Sequence, residues 1–320
     1  MSHQRSSGNL LADRRYAYAE ACLAEGHAAG AAEMAEQALE MSSDYAPAWV
    51  LLGRARAATF AMSGAEAERA AALEAFGRAL ALDPDDVLGS RLHLAGLGAV
   101  EAATAIGPAY VRALFEGYAL RFERHLVDEL GYRGPQMMVE ALDALSLALP
   151  DAPRHFPHAL DLGCGTGLMG RALAGRVGVL AGCDLSPAML AQACRTGLYA
   201  RLAEADLVAF LAAEPSDSAD LVTAADVFIY LGDLAPALRG IAHVLAPGGL
   251  AILTVQSPEA GEGIVLGDDG RYAHGDAHLD DGAEAAGLAV VALQQAGIRR
   301  QKKINVPGRI LILQRPCKKA

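Results

Sequence analysis

The stretch Asp161-Leu-Gly-Cys-Gly-Thr-Gly, running on through Leu168-Met-Gly170, sets an acid ahead of four glycines at spacings that suit ligand binding. Gly165, Gly167 and Gly170 fit G-x-G-x-x-G, the loop that lets a helix N-terminus hold the pyrophosphate of a dinucleotide. Gly163, Gly165 and Gly167 fit G-x-G-x-G behind Asp161, a loop that makes room for a ligand without phosphate. Glycine serves either case, because a tight strand-to-helix turn needs positive φ and close approach. Asp161 bears on the choice. Its carboxylate repels a pyrophosphate but attracts an ammonium group, or braces the loop. Asp184 ends the next apolar run and can accept both hydroxyls of a ribose in either case. Asp206, after Ala205, stands where the amine of a base would donate.

A second group of residues could serve an acceptor. Tyr230 follows the fourth apolar run. The glycine-rich insert 258–280 is interrupted by Arg271, Tyr272 and His274. His274 is the best general base of the set, since imidazole titrates near neutrality; it could equally steady the helix that follows. His125 is a weaker candidate. His155, His158 and His243 read as structural, and Cys164 and Cys183 as packing residues at strand ends. Arg299-Arg300-Gln301-Lys302-Lys303, with Arg309 after it, concentrates positive charge between the last two strands. It is either a solvated loop or a steering patch for an anionic substrate.

Alternating strands and helices must position these groups. Strands are expected at 158–163, 177–184, 200–206, 219–226, 249–257, 288–296 and 309–315. Helices fit at 167–175, 187–197, 233–245 and 278–286, and Pro247-Gly248-Gly249 predicts a turn before the fifth strand. This is an α/β domain, a parallel sheet covered on both faces. The last two strands lack a helix between them, which predicts a hairpin with the final strand antiparallel.

Residues 10 to about 100 read instead as alanine-rich helices. The segments 31–49 and 71–89 repeat imperfectly. Trp49, Leu52, Gly53, Ala72, Phe76, Ala79 and Pro84 resemble the tetratricopeptide pattern, with extra residues around Ala61 to Arg69. So short an array cannot bury its own faces and should pack on its neighbour. It would act as a cap, a dimerisation surface or a peptide-binding groove. Residues 109–150 form a helical bridge, with Tyr110, Leu114, Tyr118 and Phe122 about one turn apart, either core packing or a lid. The expected domains are therefore 1–108, 109–150 and 151–320.

Composition narrows the function. The 320 residues carry a formal charge of −11, which disfavours nucleic acid as a partner. Five cysteines without a C-x-x-C pair fit a reducing compartment, and the N-terminus lacks a signal-peptide core, so a cytoplasmic protein is expected. The uncharged stretch 241–258 is broken by His243 and Pro247-Gly-Gly, so no membrane span is expected.

The ordered set Asp161-Leu-Gly-Cys-Gly-Thr-Gly, Asp184, Ala205-Asp206, Asp226-Val-Phe-Ile-Tyr-Leu and Pro247-Gly-Gly resembles the class I S-adenosylmethionine-dependent methyltransferases over about 158–316. The helical N-terminus, the bridge and Arg271-Tyr-Ala-His-Gly-Asp-Ala-His-Leu279 extend the likeness to bacterial methyltransferases with tetratricopeptide-like repeats. The resemblance implies a seven-stranded doubly wound sheet of order 3-2-1-4-5-7-6 with strand seven antiparallel. It implies S-adenosylmethionine as cofactor and S-adenosylhomocysteine as product. The cofactor would lie against Asp161, Gly163, Cys164, Gly165, Thr166, Gly167, Asp184, Leu185, Met189, Ala205, Asp206, Leu207, Ala225 and Asp226, under Tyr110 and Tyr118. Tyr230, Tyr272 and His274 would serve the acceptor, a small, anionic molecule methylated on oxygen or nitrogen. A protein acceptor or partner recognised by the helical domain is the alternative. No metal site is expected.

Overall fold

The computed structural model describes residues 6–117, 119, 131–149, 153–258, 263–267, 269–301 and 304–317. Tyr118, Phe122, His125, Lys302 and Lys303 lie outside the described residues. The chain divides into two compact units, Met1–Tyr110 and Val111–Ala320. Among the described residues no helix is long and apolar enough to cross a membrane.

The first unit is helical: α1 (Leu10–Ala24), α2 (Ala28–Met41), α3 (Ala46–Ser63), α4 (Glu66–Leu82) and α5 (Ser90–Gly96). Each packs on the next. Its core is mostly alanine, with Ala12, Ala19, Ala31, Ala35, Ala38 and Ala55 fully buried beside Tyr45 and Leu51. Small side chains allow close helix approach, so contact replaces side-chain bulk. Gly53 is the tightest point. A Cβ there would lie 2.6 Å from the ring of Phe76. The extra residues around 61–69 lengthen both helices rather than the loop, since α3 runs to Ser63 and α4 starts at Glu66. Gly64, in the left-handed region at φ 67°, makes the turn between them.

α6 (Pro108–Glu116) leads into the second unit, and α7 (Gly134–Ala148) precedes its sheet. The sheet elements are β1 (Phe156–Leu162), α8 (Leu168–Ala172), β2 (Val177–Asp184), α9 (Pro187–Arg195), β3 (Arg201–Glu204), α10 (Leu207–Ala213) and β4 (Ala219–Ala224). There follow α11 (Ala235–Val244), β5 (Leu245–Gln256), β6 (Ile264–Leu266), β7 (Tyr272–His274), α12 (Asp276–Ala285), β8 (Ala289–Gln301) and β9 (Ile304–Gln314). The main sheet runs β3-β2-β1-β4-β5-β9-β8. β1 to β5 pair in parallel, while β9 is antiparallel to both β5 and β8. Apart from the short β6–β7 hairpin, this is the expected order 3-2-1-4-5-7-6 with its antiparallel last strand.

Period-two side-chain alternation builds two cores, one on each face. Ala251, Leu253 and Val255 of β5 join Leu311 and Leu313 of β9 beneath α10, α11 and α12. Leu250 and Ile252 join Ile310 and Ile312 on the other face, under α7 and α8.

The structure corrects three expectations. Pro247-Gly248-Gly249 lies inside β5, where Gly248 at φ 84° and a register slip against β4 kink the strand without ending it. Helix α10 was not foreseen; it starts because Asp206 accepts from the backbone N–H groups of Val208 and Ala209. Of the basic run, Arg299, Arg300 and Gln301 lie in a strand and not in a loop. β8 carries Arg299 and Arg300, and pairing with β9 continues to Gln301↔Ile304. Arg309 pairs with Asp276 at 3.0 Å.

Candidate active site

Gly163, Gly165 and Gly167 take φ values of 60°, 53° and 87°, all in the region that favours glycine. At Gly163 a Cβ would also stand 2.6 Å from Val227. Hydrogen bonds hold the loop on both sides. The N–H of Cys164 donates to the Cys183 carbonyl at 2.9 Å, and the N–H of Gly167 donates to the Cys164 carbonyl at 2.9 Å. Asp184 Oδ2 accepts from Gly165 N–H at 2.9 Å, and its Oδ1 accepts from Ser186 N–H at 2.8 Å. Burial raises its pKa against the lowering effect of those bonds. Each oxygen keeps lone-pair capacity for a ligand hydroxyl. Thr166 is buried with its hydroxyl unpartnered, a polar group that a ligand in the loop would satisfy. Asp206 caps α10 through Oδ1 alone. Leu207 and Met189 are buried, and Leu185, Ala205 and Ala225 half-buried, around these strand ends.

Asp161 is buried, and accepts from the Tyr199 hydroxyl at 2.6 Å and the Thr223 hydroxyl at 2.9 Å. Burial pushes it up to about 6 despite both bonds. These bonds tie the end of β1 to β4 and to the α9–β3 connection. Tyr199 escaped the sequence reading because a single tyrosine after Gly197-Leu198 has no pattern to mark it. Cys164 and Cys183 are buried thiols, both pushed up by burial, Cys183 to about 12, which disfavours the thiolate form that a nucleophile needs.

The last turn of α6 lies over the strand ends. Glu116 Oε2 accepts from the Ser186 hydroxyl at 2.6 Å and from Ala188 N–H at 3.3 Å. Arg112 pairs with Glu204 at the end of β3, at 2.7 Å. Phe115 meets Tyr230 edge-on, ring centroids 5.5 Å apart. The bridge thereby touches chain following β2, β3 and β4. Tyr110 belongs to the helical unit, its ring packed on Gly89.

Beyond β4 the groups differ in kind. Asp226 is held at φ 61°, with its N–H donating to the Thr254 hydroxyl at 2.7 Å. Tyr230 ends a short 3-10 turn (Phe228–Tyr230). Arg271 is half-buried. That burial works against its charge, but Tyr230, which accepts a hydrogen bond from it, and Asp226 and Asp269 hold its pKa above the usual value. Its Nε is buried without a partner. Tyr272 and His274 lie on β7, both fully buried, with centroids 6.4 Å apart. The His274 ring stacks on His278 at 5.7 Å, and its nitrogens make no well-aligned hydrogen bond, only contacts toward the carbonyls of Phe228 and Leu231. Burial, with His278 beside it, lowers its pKa to about 4, although the carbonyls of Phe228 and Leu231 act the other way. No side-chain bond caps α12, so His274 meets that helix by stacking alone. Among the described residues no cluster suits a metal ion.

The structure thus gathers the predicted residues of β1 to β4 around one glycine loop, and Tyr230, Arg271, Tyr272 and His274 around the end of β4 and the β6–β7 hairpin. Residues 160–251 match the family model of a methyltransferase domain. The chain is 38% identical over 138 residues to human methyltransferase-like protein 27, covering 41% of this chain and 52% of that one. It is 38% identical over 125 residues to demethylmenaquinone methyltransferase of Thermus thermophilus, covering 37% and 54% respectively. The chain spans about half the length of these curated relatives. Magnesium protoporphyrin IX methyltransferase of Synechocystis, solved with bound S-adenosylhomocysteine, aligns at a TM-score of 0.48 and 18% identity, over 65% of this chain and 99% of that one.

Proposed function

We propose that the protein transfers a methyl group from S-adenosylmethionine to an oxygen or nitrogen of a small anionic molecule. The observation that carries this reading is the adjacency of two unlike sites. A glycine loop with an unpartnered buried Thr166 hydroxyl stands against Val227 at the end of β4, and Tyr230, with its partner Arg271, follows in the next turn. The loop residues fit the cofactor. Gly163 to Gly167 leave backbone room, Asp184 retains acceptor capacity for ribose hydroxyls, and Asp206 retains Oδ2 for a base amine. When bound, the cofactor supplies a methyl group on a positively charged sulfur, ready for in-line transfer.

This chain's own residues supply the rest. Arg271, paired with Tyr230, holds the acceptor's negative charge near the end of β4. His274 accepts the proton that the acceptor loses. Its neutral ring keeps a free lone pair at pH 7, and an anion beside it would raise its basicity toward the useful range. The bridge 109–150 acts as a lid through Arg112, Phe115 and Glu116, excluding water from the strand ends. The five free cysteines fit a cytoplasmic setting.

A second reading gives the helical unit the recognition role. The packing of Gly53 on Phe76 supports a tetratricopeptide-like helix pair, and α1 exposes Leu10, Leu11 and Tyr18. On that reading a protein partner or a second copy docks there, and the acceptor is a protein.

The test is calorimetry with S-adenosylmethionine, S-adenosylhomocysteine and NAD, followed by labelled methyl transfer to acidic, neutral and protein fractions of a lysate. Binding of both sulfur compounds and label in the acidic small-molecule fraction are expected. NAD binding without them overturns the cofactor reading; label in protein alone favours the second reading.

A further inference from the structure

We propose that Tyr199 is a positioning residue for the methyl donor: its hydroxyl keeps Asp161 charged beneath the glycine loop and its ring fixes the loop's shape, so that donor binding depends on the charge of Asp161. The inference rests on the cofactor reading above and assigns a residue that the family's glycine pattern does not contain.

The ring explains glycines that the loop alone does not require. A Cβ at Gly170 would stand 2.7 Å from the Tyr199 hydroxyl oxygen. At Gly182 it would stand 2.9 Å from the ring edge, and at Gly167 3.2 Å. Side chains essentially never approach so closely at the first two positions, so α8 and β2 have each given up a Cβ to seat one phenol, while Gly167 is already fixed as glycine by its φ of 87°. The G-x-G-x-x-G spacing of residues 165–170 therefore has a source other than a pyrophosphate. Its last glycine faces a tyrosine.

The hydroxyl does electrostatic work. Asp161 is buried and receives two hydroxyl donors, Tyr199 at 2.6 Å and Thr223 at 2.9 Å. The other titratable groups that face it are Asp184 and Cys183 from β2 and Cys164 from its own loop. Tyr199 comes from the α9–β3 connection and Thr223 from β4. Among these groups there is no cation. A buried carboxylate with hydroxyl donors but no positive neighbour is poised for a cationic ligand, and the ammonium of the methyl donor is one. Burial pushes Asp161 up to about 6, so its charge is lost within an accessible pH range.

The test uses the full chain and S-adenosylhomocysteine, which carries the ammonium group without the reactive methyl. Its affinity is measured by calorimetry from pH 5 to 8. In the wild type, affinity falls below about pH 6, following the charge on Asp161. Tyr199→Phe keeps the ring and removes the donor. Losing a hydrogen bond to a charged group should move the midpoint up by about one pH unit, with roughly tenfold weaker binding below it and near-parity at pH 8. Thr223→Val should move it the same way, and Thr223→Ser should restore it. Titration of Asp184 would also tilt the wild-type profile, but Tyr199→Phe would leave that midpoint in place. Equal weakening by Tyr199→Phe at every pH, or tight wild-type binding that is flat from pH 5 to 8, overturns the proposal alone. No wild-type binding at any pH overturns the cofactor reading, and the proposal falls with it.

Discussion

The two halves of the cleft are built by opposite means. Around the glycine loop nearly every polar group is spoken for. Asp184 ties the loop to β2 and α9, Asp206 caps α10, and Asp161 is held by two hydroxyls. Around the β6–β7 hairpin several polar atoms are buried without a well-aligned bond, among them both His274 nitrogens, Nε2 of His278, Nε of Arg271 and the Ser257 hydroxyl. Each such group lowers stability by about 1–3 kcal/mol relative to a satisfied one. The first half is already in its working shape, since it holds a fixed cofactor. The second offers buried donors and acceptors that a bound molecule or ordered water can satisfy.

The largest effect that could break this contrast is His274→Gln. It keeps size and polarity but removes the basic nitrogen. Single-turnover methyl transfer should fall by about 100-fold or more, with cofactor affinity nearly unchanged. An unchanged rate from pH 6 to 9 would remove His274 as the base and leave proximity to account for the chemistry.

The next concerns acid stability, where the halves oppose each other. His274 has its pKa lowered from 6.5 to about 4. Its contribution is therefore present above about pH 6.5 and is lost as pH falls toward 4. Asp161 has its pKa raised from 3.8 to about 6. Its contribution is full below about pH 4 and is lost as pH rises through 6. Over this window the two slopes nearly cancel. His274→Gln should uncover the Asp161 slope, so that lowering the pH from 7 to 5 favours the variant over wild type by about 2 kcal/mol. Denaturant melts at the two pH values measure it. Parallel wild-type and variant profiles would mean that His274 is solvated.

A smaller loss is expected from Asp184→Ala. Removing the ribose acceptor, and with it the brace on Gly165, should weaken cofactor binding by about 1.5 kcal/mol or somewhat more, near tenfold. Calorimetry would show it. Unchanged affinity would relocate the ribose.

The fold was legible where residue type and spacing are both forced. Glycines at positive φ, acids at strand ends and alternating apolar residues in β5 and β9 specify the sheet order and the loop. Tyr199 and Glu116 were not legible, because their partners, Asp161 and Ser186, are 38 and 70 residues away. Only the tertiary structure makes those pairs. The β8–β9 hairpin was underestimated for a local reason: a run of arginines and lysines has weak strand propensity and reads as a loop until its partner strand is known. Helix α10 was hidden because Asp206 already had a role as a ligand contact. One carboxylate can cap a helix with one oxygen and offer the other.

The smallest effect tests whether the bridge truly closes the cofactor half. Glu116→Ala removes both bonds from the lid to the start of α9. Two consequences oppose each other. The lost bonds, one of them at 2.6 Å, free the last turn of α6. The lost negative charge, however, eases the ionisation of Asp184, whose pKa Glu116 helps to raise. The first speeds dissociation and weakens affinity by the same factor, and the second offsets part of that loss. With about 1 kcal/mol lost from the latch, the dissociation rate of S-adenosylhomocysteine should rise about fivefold, while its association rate stays nearly constant. Stopped-flow measurement separates the two rates. Glu116→Gln retains an acceptor oxygen and should recover most of the slow dissociation. If neither variant changes the dissociation rate, the Glu116 contact is not a latch, and the cofactor half is held by the glycine loop alone.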